Sequence, residues 1–292
     1  MLRKYLELVR FSHTLFAMPF ALLAAVMAAY ANLTEEPECP MKLRAFAGIV
    51  LCMVFARSAA MAFNRFADRK IDAENPRTAA RHLPANKLTP RSVFVFTVLC
   101  SLGFIGGTLL FLPENPIPVL MSVPVLAFLF GYSYAKRFTV LVHWWLGTSL
   151  MLAPLAAWTA LRPVFSPAPV FLGLAVLFWA AGFDILYALL DEEFDRRKKL
   201  FSVPGRFGTR SALLTVRFSH VLMMIFLGLA AESYAPFGRI FQCSVVLIGL
   251  VLIAEHCLVR PNDPQRVNLV FFGLNIFVSL TLLIAGVADI LL

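Results

Sequence analysis

The stretch Ala168-Pro-Val-Phe-Leu-Gly-Leu-Ala-Val-Leu-Phe-Trp-Ala-Ala-Gly-Phe-Asp184-Ile-Leu-Tyr187-Ala-Leu-Leu-Asp191-Glu-Glu-Phe-Asp195 has two parts. Its first half is an unbroken apolar run with no period-two alternation, which excludes a barrel strand. Crossing about 30 Å of hydrocarbon at 1.5 Å per residue takes about 20 such residues in a helix. Its second half ends that helix in acid, in the pattern DxxYxxxDxxxD. An earlier segment, Asn64-Arg-Phe-Ala-Asp68-Arg-Lys-Ile-Asp72, closes another apolar run in the same way, as NxxxDxxxD. Asn64, Asp68 and Asp72 precede Tyr187, Asp191 and Asp195 by a constant 123 residues. The spacing predicts an internal pseudo-repeat (64–72 and 184–195) within one membrane-embedded domain spanning 1–292.

The rest of the chain agrees. Of its 292 residues 60% are hydrophobic and 15% charged, against about 25% charged in a soluble domain, and the mean hydropathy is +0.79. Nine runs are long enough to span: 11–31, 42–63, 92–112, 117–135, 140–160, 168–190, 211–231, 239–258 and 267–290. The first is read as a span and not a cleaved signal. The net charge of +9 is not a nucleic-acid signature, because its distribution follows the membrane. With the N-terminus inside, the inner segments carry 20 of the 26 Lys and Arg and the outer loops four. That asymmetry predicts a cytoplasmic N-terminus. The five cysteines are scattered, with neither disulfide nor zinc spacing.

Five of the seven aspartates lie in the two acidic segments. Four residues turn a helix by about 400°, so each set shares one face. Carboxylates stacked in this way repel unless a cation lies between them. Hard oxygen donors of this kind suit Mg²⁺, which prefers one or two carboxylates together with phosphate oxygens. Basic residues fit for a diphosphate follow each segment: Arg77 and Arg81 after the first, Arg196 to Lys199 and Arg206 after the second. Lys136 and Arg137 close the fourth span. Arg57 lies within the second span, seven residues before Asn64 and therefore on the same face. A buried guanidinium there needs an anionic partner, and its planar fork matches a carboxylate. His13 is a weaker pocket candidate, and Glu255-His256 is expected at the membrane interface.

Taken together, the motifs resemble the UbiA superfamily of intramembrane aromatic prenyltransferases. The resemblance rests on the nine-span layout, on NRxxDxxxD followed by NPRTxxRxLP, on Tyr134-x-Lys-Arg, and on DxxYxxxDxxxD followed by PxRFG. It implies an all-α bundle of nine helices around a central cavity, in the cell (inner) membrane, with its site facing the cytoplasm. It implies Mg²⁺-dependent transfer of a polyprenyl group from polyprenyl diphosphate to an aromatic ring in quinone biosynthesis. Asn64, Asp68, Asp72, Asp184, Asp191 and Asp195 would then serve the metal and diphosphate. Arg57 would hold the acceptor's carboxylate, and Tyr187 with Asp191 would position and polarise its ring. The chain departs from the common pattern at Arg65, where many members carry Asp, and at Lys87, where many carry Gly. The acceptor is expected to be 4-hydroxybenzoate, with a dihydroxynaphthoate as the alternative. Of the rival classes, a transporter would place its charges near the midplane, and a phosphatidyl-alcohol transferase would need a DGxxAR motif, which is missing.

Overall fold

The computed structural model describes residues 2–9, 14–35, 43–258 and 273–292, and every regular element among them is a helix. This is what lipid demands of an apolar chain, since a helix satisfies its backbone N–H and C=O groups within one segment. In chain order the helices are α1 (Leu2–Leu8), α2 (Thr14–Glu35), α3 (Leu43–Ala67), α4 (Arg69–Glu74), α5 (Pro90–Thr108), α6 (Ile117–Ala135) and α7 (Val142–Leu161). They continue as α8 (Pro167–Ala188), α9 (Glu192–Lys198), α10 (Val203–Ser233), α11 (Arg239–Leu258) and α12 (Asn275–Leu291). A helix therefore occupies each of the nine apolar runs. Seven are long and apolar enough to cross a membrane. The other two are α7, whose run is diluted by His143, three Thr or Ser side chains and Pro154, and α12, with 17 residues.

The chain forms two compact units. The first contains α1 and α3 to α6. Here α3 packs along α5, and Ala59, Cys100, Phe104 and Leu126 interlock between α3, α5 and α6. Leu8 and Val9 of the α1 segment bury against Ala62, Leu83 and Val93, and Tyr5 stacks on Phe96 with ring centroids 4.7 Å apart.

The second unit contains α2 and α7 to α12. Its central element is α8, which packs against both α7 and α10. Trp179 is wholly buried there, with Phe183 edge-on at 5.0 Å and Phe20 at 5.2 Å. Close approach between α7 and α8 depends on Gly147, where an added Cβ would lie 2.3 Å from the Leu177 carbonyl oxygen. Small residues let helix backbones meet in this way when lipid removes the hydrophobic drive to associate. Gly147→Ala is therefore expected to wedge α7 from α8 and cost about 1–3 kcal/mol. A lowered melting temperature of the detergent-solubilised protein would register it, and an unchanged one would show that the pair can separate freely.

Several polar groups within the second unit are paired. Asn32 donates to Leu161 O at 3.0 Å, while Arg162 grips Asn32 Oδ1 and Glu35. Tyr234 donates to Met27 O at 2.9 Å. Asp289 of α12 accepts from the Gly238 and Phe241 N–H groups at 2.8 and 2.7 Å and so caps α11 from outside its own helix. Of the cysteines described, Cys52, Cys100, Cys243 and Cys257 are all free thiols. Cys39 and His13 lie outside the described residues.

Candidate active site

In the first unit α3 runs unbroken through Arg57 to Asn64 and stops at Ala67. Asp68 then has φ −90° and ψ 3° and begins α4 as its N-cap, without a capping hydrogen bond from its side chain. The turn-to-turn bonds continue across it, from Asp68 N to Asn64 O at 2.9 Å and from Asp72 N to Asp68 O at 2.8 Å. The expected straight acidic face is therefore bent at its middle member. In the second unit α8 stops at Ala188, and a single 3₁₀ turn (Leu189–Asp191) leads into α9. Asp191 caps α9 with φ −112° and ψ 6°, again without a side-chain cap bond. The two equivalent aspartates thus share one backbone conformation, in the sparsely populated bridge region that active-site residues often occupy. A 3₁₀ turn advances about 120° per residue and not 100°, so it also turns Asp191 away from the line of Asp184 and Tyr187.

Side-chain contacts fix the acids of the first unit. Asn64 Nδ2 donates to Asp68 Oδ2 at 3.1 Å. Arg81 Nη1 donates to Asp72 Oδ1 at 2.7 Å, so this arginine, expected beside phosphate, also holds a carboxylate. Asp68 and Asp72 are each only 4% exposed. Asp72 Oδ2 is buried and makes no hydrogen bond. The loop after α4 is tied down by Thr78 Oγ1 donating to Asp72 O at 2.9 Å and by the Arg77 N–H on Asn75 Oδ1 at 3.0 Å. The Arg77 side chain is exposed. Within α3, Arg57 is half-buried and its Nε is buried with no hydrogen bond. Tyr132 is the polar neighbour electrostatically coupled to it.

The second unit brings Asp184, Asp195 and Lys136 into one connected network. His143 Nδ1 lies 2.7 Å from Asp184 Oδ2, and the Val203 N–H donates to His143 Nε2 at 3.2 Å. Ser202 bonds Asp195 through its side chain, and Lys136 lies near enough to attract the Asp195 carboxylate. Lys136 O accepts from Phe201 N at 2.7 Å, which ties Lys136 to the loop before α10. Glu192 accepts from Thr209 Oγ1 at 2.5 Å. That contact crosses a kink in α10 at Gly208, whose φ of 78° only glycine adopts at little cost. Arg206 is occupied elsewhere, stacked 3.9 Å over the Phe201 ring and bonded to Lys199 O. Tyr187 is half-buried and Arg137 exposed.

Glu255-His256, expected at the membrane interface, is drawn into the protein. Glu255 is 1% exposed, and His256 Nε2 lies 3.2 Å from His220 Nδ1. An apolar helix flank makes a Glu look interfacial, and only the packing of α11 shows that it points inward.

Sequence reading missed His143 and Ser202. The signal for His143 was available: a titratable residue inside an apolar run, the same signal that singles out Arg57. Ser202 carried none.

The donor set suits Mg²⁺. It consists of carboxylate and amide oxygens, and Asp72 Oδ2 is a buried acceptor lacking a hydrogen-bond donor. Among the described residues no three His, Cys, Asp or Glu side chains converge into a protein-only metal cage.

A sequence model of the UbiA prenyltransferase family matches residues 17–280. The chain belongs to that family. Its UbiA relatives include the 4-hydroxybenzoate octaprenyltransferase of Hydrogenovibrio crunogenus, 32% identical over 83% of both chains. That of Saccharophagus degradans is 30% identical over 74% of this chain and 71% of its own. Among solved structures, the apo UbiA homolog from Aeropyrum pernix K1 superposes with a TM-score of 0.81 at 29% identity, covering 96% of this chain and 98% of its own. A UbiA homolog from Archaeoglobus fulgidus, solved with GPP and Mg²⁺, has the same fold, with a TM-score of 0.71 at 20% identity over 99% and 100% of the two chains. Family membership makes the protein a multi-pass membrane prenyltransferase and sets the transporter reading aside.

Proposed function

We propose that this UbiA protein transfers a polyprenyl group from polyprenyl diphosphate to the ring of an aromatic carboxylic acid, with 4-hydroxybenzoate as the acceptor. The observation that carries the reading is the pair of acidic bends, in which Asp68 and Asp191 each follow an apolar helix in a similar backbone conformation. The names of its relatives support the acceptor. Asn64, Asp68, Asp72, Asp184, Asp191 and Asp195 hold Mg²⁺. When bound, Mg²⁺ neutralises the diphosphate and makes it a better leaving group.

The chain's own side chains do the rest. Arg77, Lys136 and Arg137 bring positive charge to the diphosphate oxygens, where charge accumulates as the allylic C–O bond stretches. Arg81 adds to that charge while it keeps Asp72 in place. The Arg57 fork grips the acceptor's carboxylate, and the unpartnered Nε is the donor that such a ligand would satisfy. Tyr187 and Asp191 hold the phenol so that a ring carbon faces the allylic carbon. The ring carbon takes the prenyl group, the diphosphate leaves with the bonding pair, and a base removes the ring proton. Aromatic side chains exclude water and favour the developing cation. The excess of Lys and Arg on one side supports nine spans, with the N-terminus and the acidic ends facing the cytoplasm of a bacterial inner membrane.

Purified protein incubated with a polyprenyl diphosphate and either 4-hydroxybenzoate or a dihydroxynaphthoate, with product masses read out, tests this reading. The 4-hydroxybenzoate adduct should form, stop with EDTA and return with added Mg²⁺. A product with the naphthoate alone would move the enzyme to the menaquinone route. Turnover that survives EDTA would remove the metal from the reading.

A further inference from the structure

His143 is 2% exposed and stands at the start of α7. It touches two other elements. Its Nδ1 reaches Asp184 Oδ2 on α8 at 2.7 Å, and its Nε2 takes the N–H of Val203, the first residue of α10, at 3.2 Å. The second contact determines the first. A backbone N–H only donates, so Nε2 must present its lone pair, and the proton of the ring must sit on Nδ1. Nδ1–H then donates to Asp184. The Val203 amide is one of the first-turn N–H groups that a helix leaves without an internal partner, so one imidazole settles a helix end and orients a carboxylate. Only Oδ2 of Asp184 is engaged, and its side chain keeps 19% exposure. The same turn reaches a second acid, because Ser202, next to Val203, bonds Asp195.

We infer that His143 is a positioning residue for Mg²⁺ binding: by holding Asp184 Oδ2 through Nδ1–H, it aims Oδ1 at the ion. The inference rests on the proposed Mg²⁺-diphosphate role of Asp184. Partners that orient a metal ligand in this way typically change metal affinity 10–100-fold when removed. A histidine that merely packed α7 against α8 would stabilise the fold without affecting the metal.

Two amides separate the ring's two bonds. His143→Asn places a donor near the Nδ1 position for Asp184 but gives up Val203. His143→Gln places an acceptor near the Nε2 position for Val203 but withdraws the donor from Asp184. The measurement uses full-length protein and a prenyl thiolodiphosphate, which binds without reacting. It reads the Mg²⁺ concentration for half-maximal analogue binding, alongside the melting temperature. His143→Gln and His143→Leu should raise that concentration about 10–100-fold, and His143→Asn should stay within about threefold of wild type. In an Asp184→Ala background, His143→Gln should add nothing further, since the two residues act as one unit.

Equal Mg²⁺ requirements in the Asn and Gln variants would overturn the inference. So would a His143→Gln effect that persists without Asp184. If wild type binds the analogue without any Mg²⁺ dependence, the metal reading of the site fails and the inference fails with it. Wild-type dependence with an unmoved Gln variant removes the inference alone.

Discussion

Replacing Asp68 or Asp191 by alanine is expected to lower prenyl transfer by at least ~10²-fold, the scale on which single electrostatic stabilisers act. Each stands at the bend of its acidic segment, and neither spends its side chain on capping the helix that it begins. Both variants should insert and purify like wild type. The isosteric changes Asp68→Asn and Asp191→Asn separate charge from shape. They keep the side-chain volume but remove the anion, and should fall nearly as far as the alanine variants. Activity within tenfold of wild type at saturating Mg²⁺, in either alanine variant, would remove that residue from the metal site. Because the two bends are backbone equivalents, unequal losses would show that the pseudo-repeat does not extend to equal chemical roles.

The second large effect concerns Arg57. Its Nε is buried with no hydrogen bond, an expensive state for a guanidinium unless an anionic ligand completes it. If that ligand is the acceptor's carboxylate, Arg57→Ala should reduce kcat/KM for 4-hydroxybenzoate by at least ~30-fold, because losing one partner of a buried charge pair costs ~2–5 kcal/mol and each decade is ~1.4 kcal/mol. The KM for the prenyl diphosphate should move little. A phenol without the carboxylate should be a poor substrate for the wild type, and the variant should handle it almost as well as wild type does. Equal losses on both phenols would mean that Arg57 serves the fold, with Tyr132 as its neighbour. The carboxylate would then have to be held elsewhere, with Arg137 the first candidate.

Sequence by itself determined the class of this protein and its acidic motifs. Continuous apolar runs can satisfy their backbones in lipid only as helices, so the nine helical positions follow from run length and hydropathy. The 123-residue offset follows from residue identity alone. Boundaries were less legible: a short polar helical segment from Val203, with Pro204 in its first turn, precedes the run at 211, and the non-helical backbone of Gly208 separates the two. Tertiary structure decided what the side chains do. A periodicity argument assumes a straight helix, and only the packed backbone shows the bends at Asp68 and Asp191. Arg81 is nine residues from Asp72 in the chain, His143 forty-one from Asp184. Local propensity carries no information about such pairs, because a helical rule reaches only three or four residues along the chain. The same holds for Glu255, whose flanks read as a membrane surface while its helix turns it inward. Composition gives the burial that a segment needs on average, but only the packing of one helix on another selects which polar atom is buried and what it meets.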